Sequence, residues 1–389
     1  MDIHEKLSYL GKRARFDLCG DCDLKGTGRR RAEGGRWDYP ELVPDGEKSV
    51  MLRVLLSNRC ENSCYFCENA AYRDFREATL EPDELAQHYA SLYRCGRARS
   101  LFLSSAVLNS TDYTMSRILD TLELIRFRHR IPGYIHTKVL PGTSDDLIRR
   151  VIALSTRVSV NLEVPNQKRM ERIGSPKNFH SDLYDKVRHI SRLLHEADPA
   201  GRRRSRPKTQ TTQFVVGVSG ETDQELLDTC SHLYNDLHLA RIYFSAFQPP
   251  GKIDFGAPRA PLLREHRLYQ CDFLLRKYDF SVNEIPLDER GHLAGHEDPK
   301  TTWAKSHPAF FPLEINTAPR RSLLRVPGLG PISVKKIIAA RKTGKITSKV
   351  DLKELAIRPW PALSYLLLDG YRVSNESTSA RQNLLQFEA

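Results

Sequence analysis

The chain has 389 residues, 40% of them hydrophobic and 28% charged, with a net charge of +12. That length suits one large domain plus a smaller one, and the composition is that of a soluble globular protein. No stretch approaches 18 consecutive apolar residues, so no membrane span is expected, and the first residues lack the apolar core of a secretion signal. The expected location is cytoplasmic. There the eight cysteines stay reduced, and a tight group of them reads as metal-binding or catalytic. Charge is unevenly placed: the first 50 residues carry ten of each sign, whereas residues 300–389 carry 15 Lys or Arg against 6 Asp or Glu. A basic end suits a polyanionic partner, most simply nucleic acid, and the alternative is a solvated basic surface.

Residues 1–49 form an N-terminal arm, Gly- and Arg-rich over 20–37. Beyond it, short apolar runs alternate with longer stretches of helical period. Strands are expected at residues 50–57 (VMLRVLLS), 100–105 (SLFLSS), 133–140 (GYIHTKVL), 157–164 (RVSVNLEV), 210–218 (QTTQFVVGV) and 241–247 (RIYFSAF). Helices follow over EPDELAQHYASLYR, TMSRILDTLELIRFR, a segment starting near Ser144, YDKVRHISRLLHEA and TDQELLDTCSHLYNDL. This alternation over residues 50–250 predicts an α/β fold with a parallel sheet and right-handed crossovers, either doubly wound or curled. A partial (β/α)6 TIM-like barrel is favoured, with the functional groups at the carboxyl ends of the strands. Residues 201–208, GRRRSRPK, interrupt the alternation and read as an exposed basic loop. A helical extension and linker over 251–310 includes a helix at LLREHRLYQCDFLLRKY, and residues 371–389 read as a flexible tail.

Directly after the first strand, SNRCENSCYFCEN (57–69) sets Cys60, Cys64 and Cys67 at C-x3-C-x2-C spacing. Three thiolates on one loop suit an iron–sulfur cluster with one iron left open to a small chelating molecule. The alternative is a structural zinc site, with a fourth ligand from Cys19 or Cys22 in DLCGDCD. Cys95, Cys230 and Cys271 show no partner pattern and read as buried small apolar residues. Alternation puts His136 and Lys138 on one face of strand three, as candidate proton donors or phosphate contacts, and Asn161 with Glu163 on one face of strand four. Gln210 and Gln213 fall on opposite faces of strand five, so at most one of them faces a pocket.

Residues 311–370 read as a small all-α domain in which helix, VPGLG and helix make a helix-hairpin-helix pattern. Gly328 and Gly330 are expected to let the turn take positive φ and expose backbone amides to a phosphate, with Lys335 and Lys336 adding charge. Arg341, Lys342 and Lys345 lie just beyond. Contacts of this kind hold a nucleic-acid backbone without reading its sequence.

The three-cysteine spacing, with Phe66 before the third cysteine, resembles the radical S-adenosylmethionine (SAM) superfamily. The resemblance implies a 4Fe-4S cluster on Cys60, Cys64 and Cys67, SAM chelated at the open iron, an electron donor, and cleavage of SAM to a 5′-deoxyadenosyl radical. It also implies that Phe66 lies beside adenine, and that Ser104 and Ser105 replace the usual Gly-Gly-Glu-like stretch at the SAM amino group. Asn161 and Glu163 would reach the ribose or carboxylate, and Gly217 would pass close to adenine. Taken together, LLSNRCENSCYFCEN, LFLSSAVLNSTDYTM, GYIHTKVLPG, VSVNLEVP, PLLREHRLYQCDFLLRKY and INTAPRRSLLRVPGLG are similar to the radical SAM proteins assigned to DNA modification or repair. These are often encoded beside a uracil-DNA-glycosylase-like protein. The similarity runs from about residue 5 to 370, with Ala106 where the family commonly has Gly. It implies a radical SAM enzyme that modifies or repairs a nucleotide in DNA, with duplex DNA and a uracil-DNA-glycosylase-like protein as partners. The alternatives are a radical SAM enzyme modifying tRNA and a non-catalytic DNA-binding protein with a structural metal site.

Overall fold

In the parallel part of the sheet most strand residues are buried, as expected where helices cover one face and the sheet encloses the other, and apolar side chains there mix with Thr, Ser, Gln and His. The computed structural model describes residues 1–14, 17, 38–42, 48–197, 208–249 and 260–372. Cys19, Cys22, residues 202–207 of the basic loop and the tail from residue 373 lie outside the described residues. The chain divides into two compact units, Met1–Tyr269 and Gln270–Ala389. Among the described residues no helix is long and apolar enough to cross a membrane.

The first unit holds a seven-stranded sheet whose order is the chain order, β1 to β7. Strand β1 (Asp38–Leu42) pairs antiparallel with β2 (Lys48–Leu55). From β2 onward all pairs are parallel, through β3 (Ser100–Ser104), β4 (Tyr134–Lys138), β5 (Arg157–Ser159), β6 (Thr209–Val216) and β7 (Arg241–Ala246). A doubly wound sheet reverses its strand order once. Here the order never reverses, so right-handed crossovers put every connecting helix on one face and the sheet curls as a half-barrel. The favoured partial barrel is therefore what forms.

The connecting helices are α2 (Pro82–Arg94), α3 (Thr111–Glu123), α4 (Asp145–Leu154), α6 (Asp185–Ala197) and α7 (Asp223–Asn235), with a short α5 (Gln167–Arg172) after β5. Each buries one apolar stripe; α2 buries Leu85, Ala86, Tyr89, Ala90 and Leu92. Their starts carry local signals. Pro82 opens α2, the Ser110 side chain accepts from the Tyr113 amide, and Thr222 with Glu225 forms a capping box. An N-terminal helix, α1 (Ile3–Arg13), was not expected within the arm; Lys6 ties it to Glu84 of α2 at 3.0 Å.

The outer edge of β7 is covered by side chains. The amides of Ile242, Phe244 and Ala246 donate to Tyr234 Oη (2.9 Å), Tyr269 Oη (2.9 Å) and Glu265 Oε2 (2.7 Å). Glu265 and Tyr269 come from α8 (Leu262–Lys277). Alternate edge donors are thereby satisfied, and the strand offers no free ladder to a second chain.

Arg169 of α5 and Glu225 of α7 form a two-pronged pair at 2.9 and 2.6 Å. Burial opposes the Glu225 charge, but the Arg169 guanidinium and the Thr222 amide outweigh it and hold the carboxyl at about 2. A carboxyl held below its ordinary value of 4.5 contributes stability at higher pH and loses it as pH falls toward the folded value. Glu225→Gln is therefore expected to flatten the decline in stability between pH 4.5 and 2, read from melting curves of both proteins. Parallel acid profiles would contradict this pairing.

The second unit is built on a core of Leu323, Leu324, Val326, Leu329, Val334 and Ile337, with Ile315, Leu352 and Leu366. It is not all-α. Strands β8 (Leu313–Glu314), β9 (Leu366–Leu368) and β10 (Tyr371–Arg372) form a small sheet in the order β10-β9-β8. The β9–β10 turn is Asp369-Gly370, with φ of 51° and 83°, the backbone that an Asp-Gly hairpin takes. Glu314 accepts from the Gly370 amide at 2.8 Å and closes that turn onto β8. The remaining helices are α9 (Pro299–Ser306), α10 (Arg320–Leu323), α11 (Pro331–Ala340) and α12 (Lys349–Glu354).

Candidate functional site

Where β2 ends, the chain enters the cysteine loop through Asn58, which is fully buried. Its side chain donates to the Arg76 carbonyl (2.9 Å) and accepts from the Ala78 amide (2.7 Å), closing the loop at its base. Within the loop, Arg73 donates to the carbonyls of Tyr65 (2.7 Å) and Cys67 (2.8 Å). The Glu61 amide donates to the Val107 carbonyl at 2.8 Å. These bonds fix the backbone that carries the three thiols.

All three cysteines line one cavity at the carboxyl ends of the strands, about 1160 Å³ with its mouth included. Each of the six parallel strands, or the turn just after it, contributes to the wall. Leu55 follows from β2, Ser105 from β3, Lys138 from β4, Asn161 and Glu163 from beyond β5, Gln213 from β6 and Phe247 from β7. Phe66 lines it too, as do Arg13 at the end of α1, Asp17 and Lys177.

The structure brings Cys60, Cys64, Cys67, Phe66, Ser105, Asn161, Glu163 and Lys138 together. It does not bring Ser104, His136 or Gly217 to the cavity wall. Ser104 is buried and its Oγ has no hydrogen-bond partner among the described residues. His136 lies within the barrel, its Nε2 3.0 Å from Ser159 Oγ and its ring edge-on to Phe102 at 4.8 Å. Burial, with Arg157 and Lys138 nearby, holds its pKa well below the ordinary histidine value. Gly217 takes φ of 89°, and a Cβ there would stand 2.7 Å from the Ala260 Cβ, so close packing demands this glycine. Gln213 faces the cavity, and Gln210 does not.

Asn161 and Glu163 reach the wall by a different route from the one expected. Strand β5 ends at Ser159, and Glu163 takes a left-handed φ of 65° while bridging Phe214 of β6. Strand alternation therefore does not place them, although both side chains are buried against the cavity.

Lys138 pairs with Asp17 at 2.6 Å, each side chain 15% exposed. Burial opposes the lysine charge, but Asp17 and Glu163 outweigh it and raise its pKa. Lys177, which the sequence analysis missed, behaves alike: burial opposes its charge, and the Cys64 sulfur and Glu163 raise its pKa. The three cysteines are free thiols. Burial pushes Cys67 up to about 12 and raises Cys60 as well, so a bound cation is the kind of partner that takes their protons.

This donor set fits an iron–sulfur cluster. It offers three thiols on one loop, and a cubane cluster takes one thiolate at an iron corner. Among the described residues no three His, Cys, Asp or Glu side chains are arranged to hold a single metal ion. Of the other cysteines, Cys230 and Cys271 are buried as expected, whereas Cys95 is exposed at the end of α2. It follows the last apolar position of that helix, so the helix stripe does not cover it.

In the second unit the VPGLG turn joins α10 to α11. Gly328 has φ of 83°, but Gly330 is extended at φ −100° and acts as the N-cap of α11. Only one of the two glycines therefore needs positive φ. Lys335 is exposed. Lys336 donates to the Leu355 carbonyl at 2.8 Å, Arg341 to the Ile315 and Ala318 carbonyls, and Lys345 pairs with Asp369 at 2.9 Å.

Residues 54–233 match the radical SAM superfamily. The chain thus carries a radical SAM domain, and that superfamily implies a 4Fe-4S cluster and S-adenosylmethionine. Among curated proteins it is similar to the tRNA-2-methylthio-N(6)-dimethylallyladenosine synthase of Endomicrobium trichonymphae, 27% identical over 205 residues, which cover 50% of this chain and 44% of that one. The protein of the same name from Roseiflexus sp. (strain RS-1) is 24% identical over 221 residues, covering 54% and 41%. The chain thus spans less than half the length of these relatives. Among solved structures, methylornithine synthase aligns with a TM-score of 0.46 at 10% identity, covering 70% of this chain and 76% of that one. The FeFe-hydrogenase maturase of Carboxydothermus hydrogenoformans aligns with a TM-score of 0.44 at 13% identity, covering 58% and 51%.

Proposed function

We propose that this chain is a radical SAM enzyme that modifies a nucleotide in a nucleic acid. The observation that carries the radical reading is the convergence of Cys60, Cys64 and Cys67 with Phe66, Asn161 and Glu163 on one cavity. In this reading the three thiolates hold three irons of the cluster, and the cavity beyond them receives SAM. The cluster and SAM, when bound, supply one-electron reduction and an adenosyl carbon radical. Phe66 would flank the adenine, Asn161 and Glu163 would accept or donate hydrogen bonds to the ribose and the methionine end, and Ser105 would line the wall beside the cysteine loop, where its Oγ meets Ser57. The Lys138–Asp17 pair fixes a cation in the wall without leaving it uncompensated. A base must leave its stack to enter such a cavity, so an unpaired or flipped nucleotide is the form attacked.

The curated relatives act on tRNA by name, and they favour RNA as the substrate over the DNA that the sequence resemblance suggested. DNA is the second reading, supported by the Gly328–Gly330 turn ahead of α11 and by the basic character of residues 300–389. Lys335 is exposed and, among the described residues, meets no partner, so it can meet a phosphate in either case, whereas Lys336, Arg341 and Lys345 already serve the fold.

Full-length, anaerobically reconstituted protein with SAM and a reductant is tested on tRNA, duplex DNA and mismatched DNA, with nucleosides analysed by mass spectrometry. The expected result is 5′-deoxyadenosine or a SAM-derived product together with an altered nucleoside in the tRNA. An altered nucleoside in DNA alone selects the second reading. Cleavage of SAM with all nucleosides unchanged overturns the nucleic-acid assignment.

A further inference from the structure

The three thiols differ in what donates to them. Cys60 Sγ accepts from the Asn62 amide and Cys67 Sγ from the Asn69 amide, both at 3.4 Å. Those two donors are backbone groups of the cysteine loop itself, and Cys60 also meets the Val107 backbone beyond β3. Cys64, the most buried of the three at 4% exposure, meets Ser175 Oγ at 3.6 Å, across a sequence separation of 111 residues.

Ser175 belongs to a short segment between α5 and the turn at Phe179–Tyr184. Gly174 takes φ of 53°, and the Lys177 amide lies 3.4 Å from Ser175 Oγ. The far end is pinned where the Asn178 amide donates to Asp182 (2.8 Å) and the Phe179 amide to Gln167 (2.9 Å). Lys177 sends its side chain to the same cavity wall as the thiols. One segment thus brings a hydroxyl to one thiol and a cation to the chamber of all three.

A cysteine that ligates iron is a thiolate and only accepts, so the Ser175 hydroxyl must then donate. Hydrogen bonds to ligand sulfur and nearby positive charge both favour the electron-rich reduced state of a cluster. We propose that the segment from Gly174 to Lys177 sets the cluster's reduction potential, Ser175 through Cys64 and Lys177 as a fixed cation. This rests on the reading that the three thiols hold the cluster. Both are positioning residues, acting through the ligands.

The test uses reconstituted full-length protein without substrate: wild type, Ser175→Ala, Ser175→Thr, Lys177→Met and Lys177→Arg. Iron content and melting temperature are recorded for each, and the midpoint potential is read from an EPR-monitored titration. Ser175→Ala and Lys177→Met are expected to keep their iron and to lower the reduced-to-oxidised ratio at a given potential by roughly tenfold, about 59 mV for one electron. Ser175→Thr and Lys177→Arg are expected to restore most of the shift. Unchanged midpoints in iron-replete, folded variants overturn the inference and leave the cluster reading intact. The same holds if Lys177→Met weakens SAM binding while the midpoint stays put. Wild-type protein that takes up no cluster overturns the reading beneath it.

Discussion

Converting Cys60, Cys64 and Cys67 together to alanine is expected to remove the iron–sulfur chromophore and to reduce SAM cleavage to the uncatalysed background. Wild-type protein should hold about four irons per cluster. The loop's shape is set by Asn58, Arg73 and backbone bonds rather than by the thiols, so the variant should fold. Iron analysis, visible absorbance and 5′-deoxyadenosine production measure the outcome. Cys95→Ala and Cys230→Ala are the controls: one cysteine is exposed, the other buried in a helix, and neither lines the cavity. Iron content and SAM cleavage that survive the triple substitution would assign the cluster elsewhere in the chain.

Arg325→Ala should unfold the second unit far more readily than any surface change. The residue is 2% exposed. Its guanidinium donates to the Tyr278 and Asp279 carbonyls, each at 2.9 Å, and to Glu284 Oε1 at 2.6 Å. It also lies 3.7 Å from the centre of the Phe280 ring. Removing it strips the Tyr278 and Asp279 carbonyls of their donor and leaves Glu284 only its contacts with Ser281 and Arg321, which together costs roughly 3 kcal/mol. With a urea dependence of ~1–3 kcal/mol per molar, the midpoint should drop by on the order of 2 M. Trp303 packs against Phe280 at 5.7 Å between ring centres, and with Trp37→Phe as background the remaining tryptophans, Trp303 and Trp360, follow this unit by fluorescence. Arg325→Lys should recover little, because a compact ammonium cannot reproduce the planar fork. A denaturation midpoint that does not move would show that these contacts add nothing.

The barrel was legible because short β-prone runs, rich in Val, Ile, Leu, Thr and aromatic residues, alternate with segments of helical period. What escaped depended on other physics. Strand β1, with Pro40 inside it, has no alternation and is an edge strand paired on one side. The path of Asn161 and Glu163 departs from a strand because Glu163 takes positive φ, which nothing in its side chain foretells. The Asp369-Gly370 hairpin was signalled by its dipeptide and passed over beneath the helical pattern around it. At the site, the thiol spacing and Phe66 are local and were visible. Asp17, Lys177 and Ser175 come from distant parts of the chain and become neighbours only through the fold, and the sequence carries no local mark of them.

The match between strand order and chain order has a consequence for biosynthesis. As the nascent chain leaves the ribosome, each new strand of the half-barrel finds its neighbour already made, so the sheet can grow by addition without waiting for the C-terminal unit. The cavity cannot. Its wall includes Ser245 and Phe247, which are translated long after Cys60, Cys64 and Cys67, a delay on the order of ten seconds at ordinary elongation rates. Throughout that interval the thiols stand outside a finished chamber, open to oxygen and to soft metal ions. Oxidative injury should therefore fall on newly made chains more than on the mature protein.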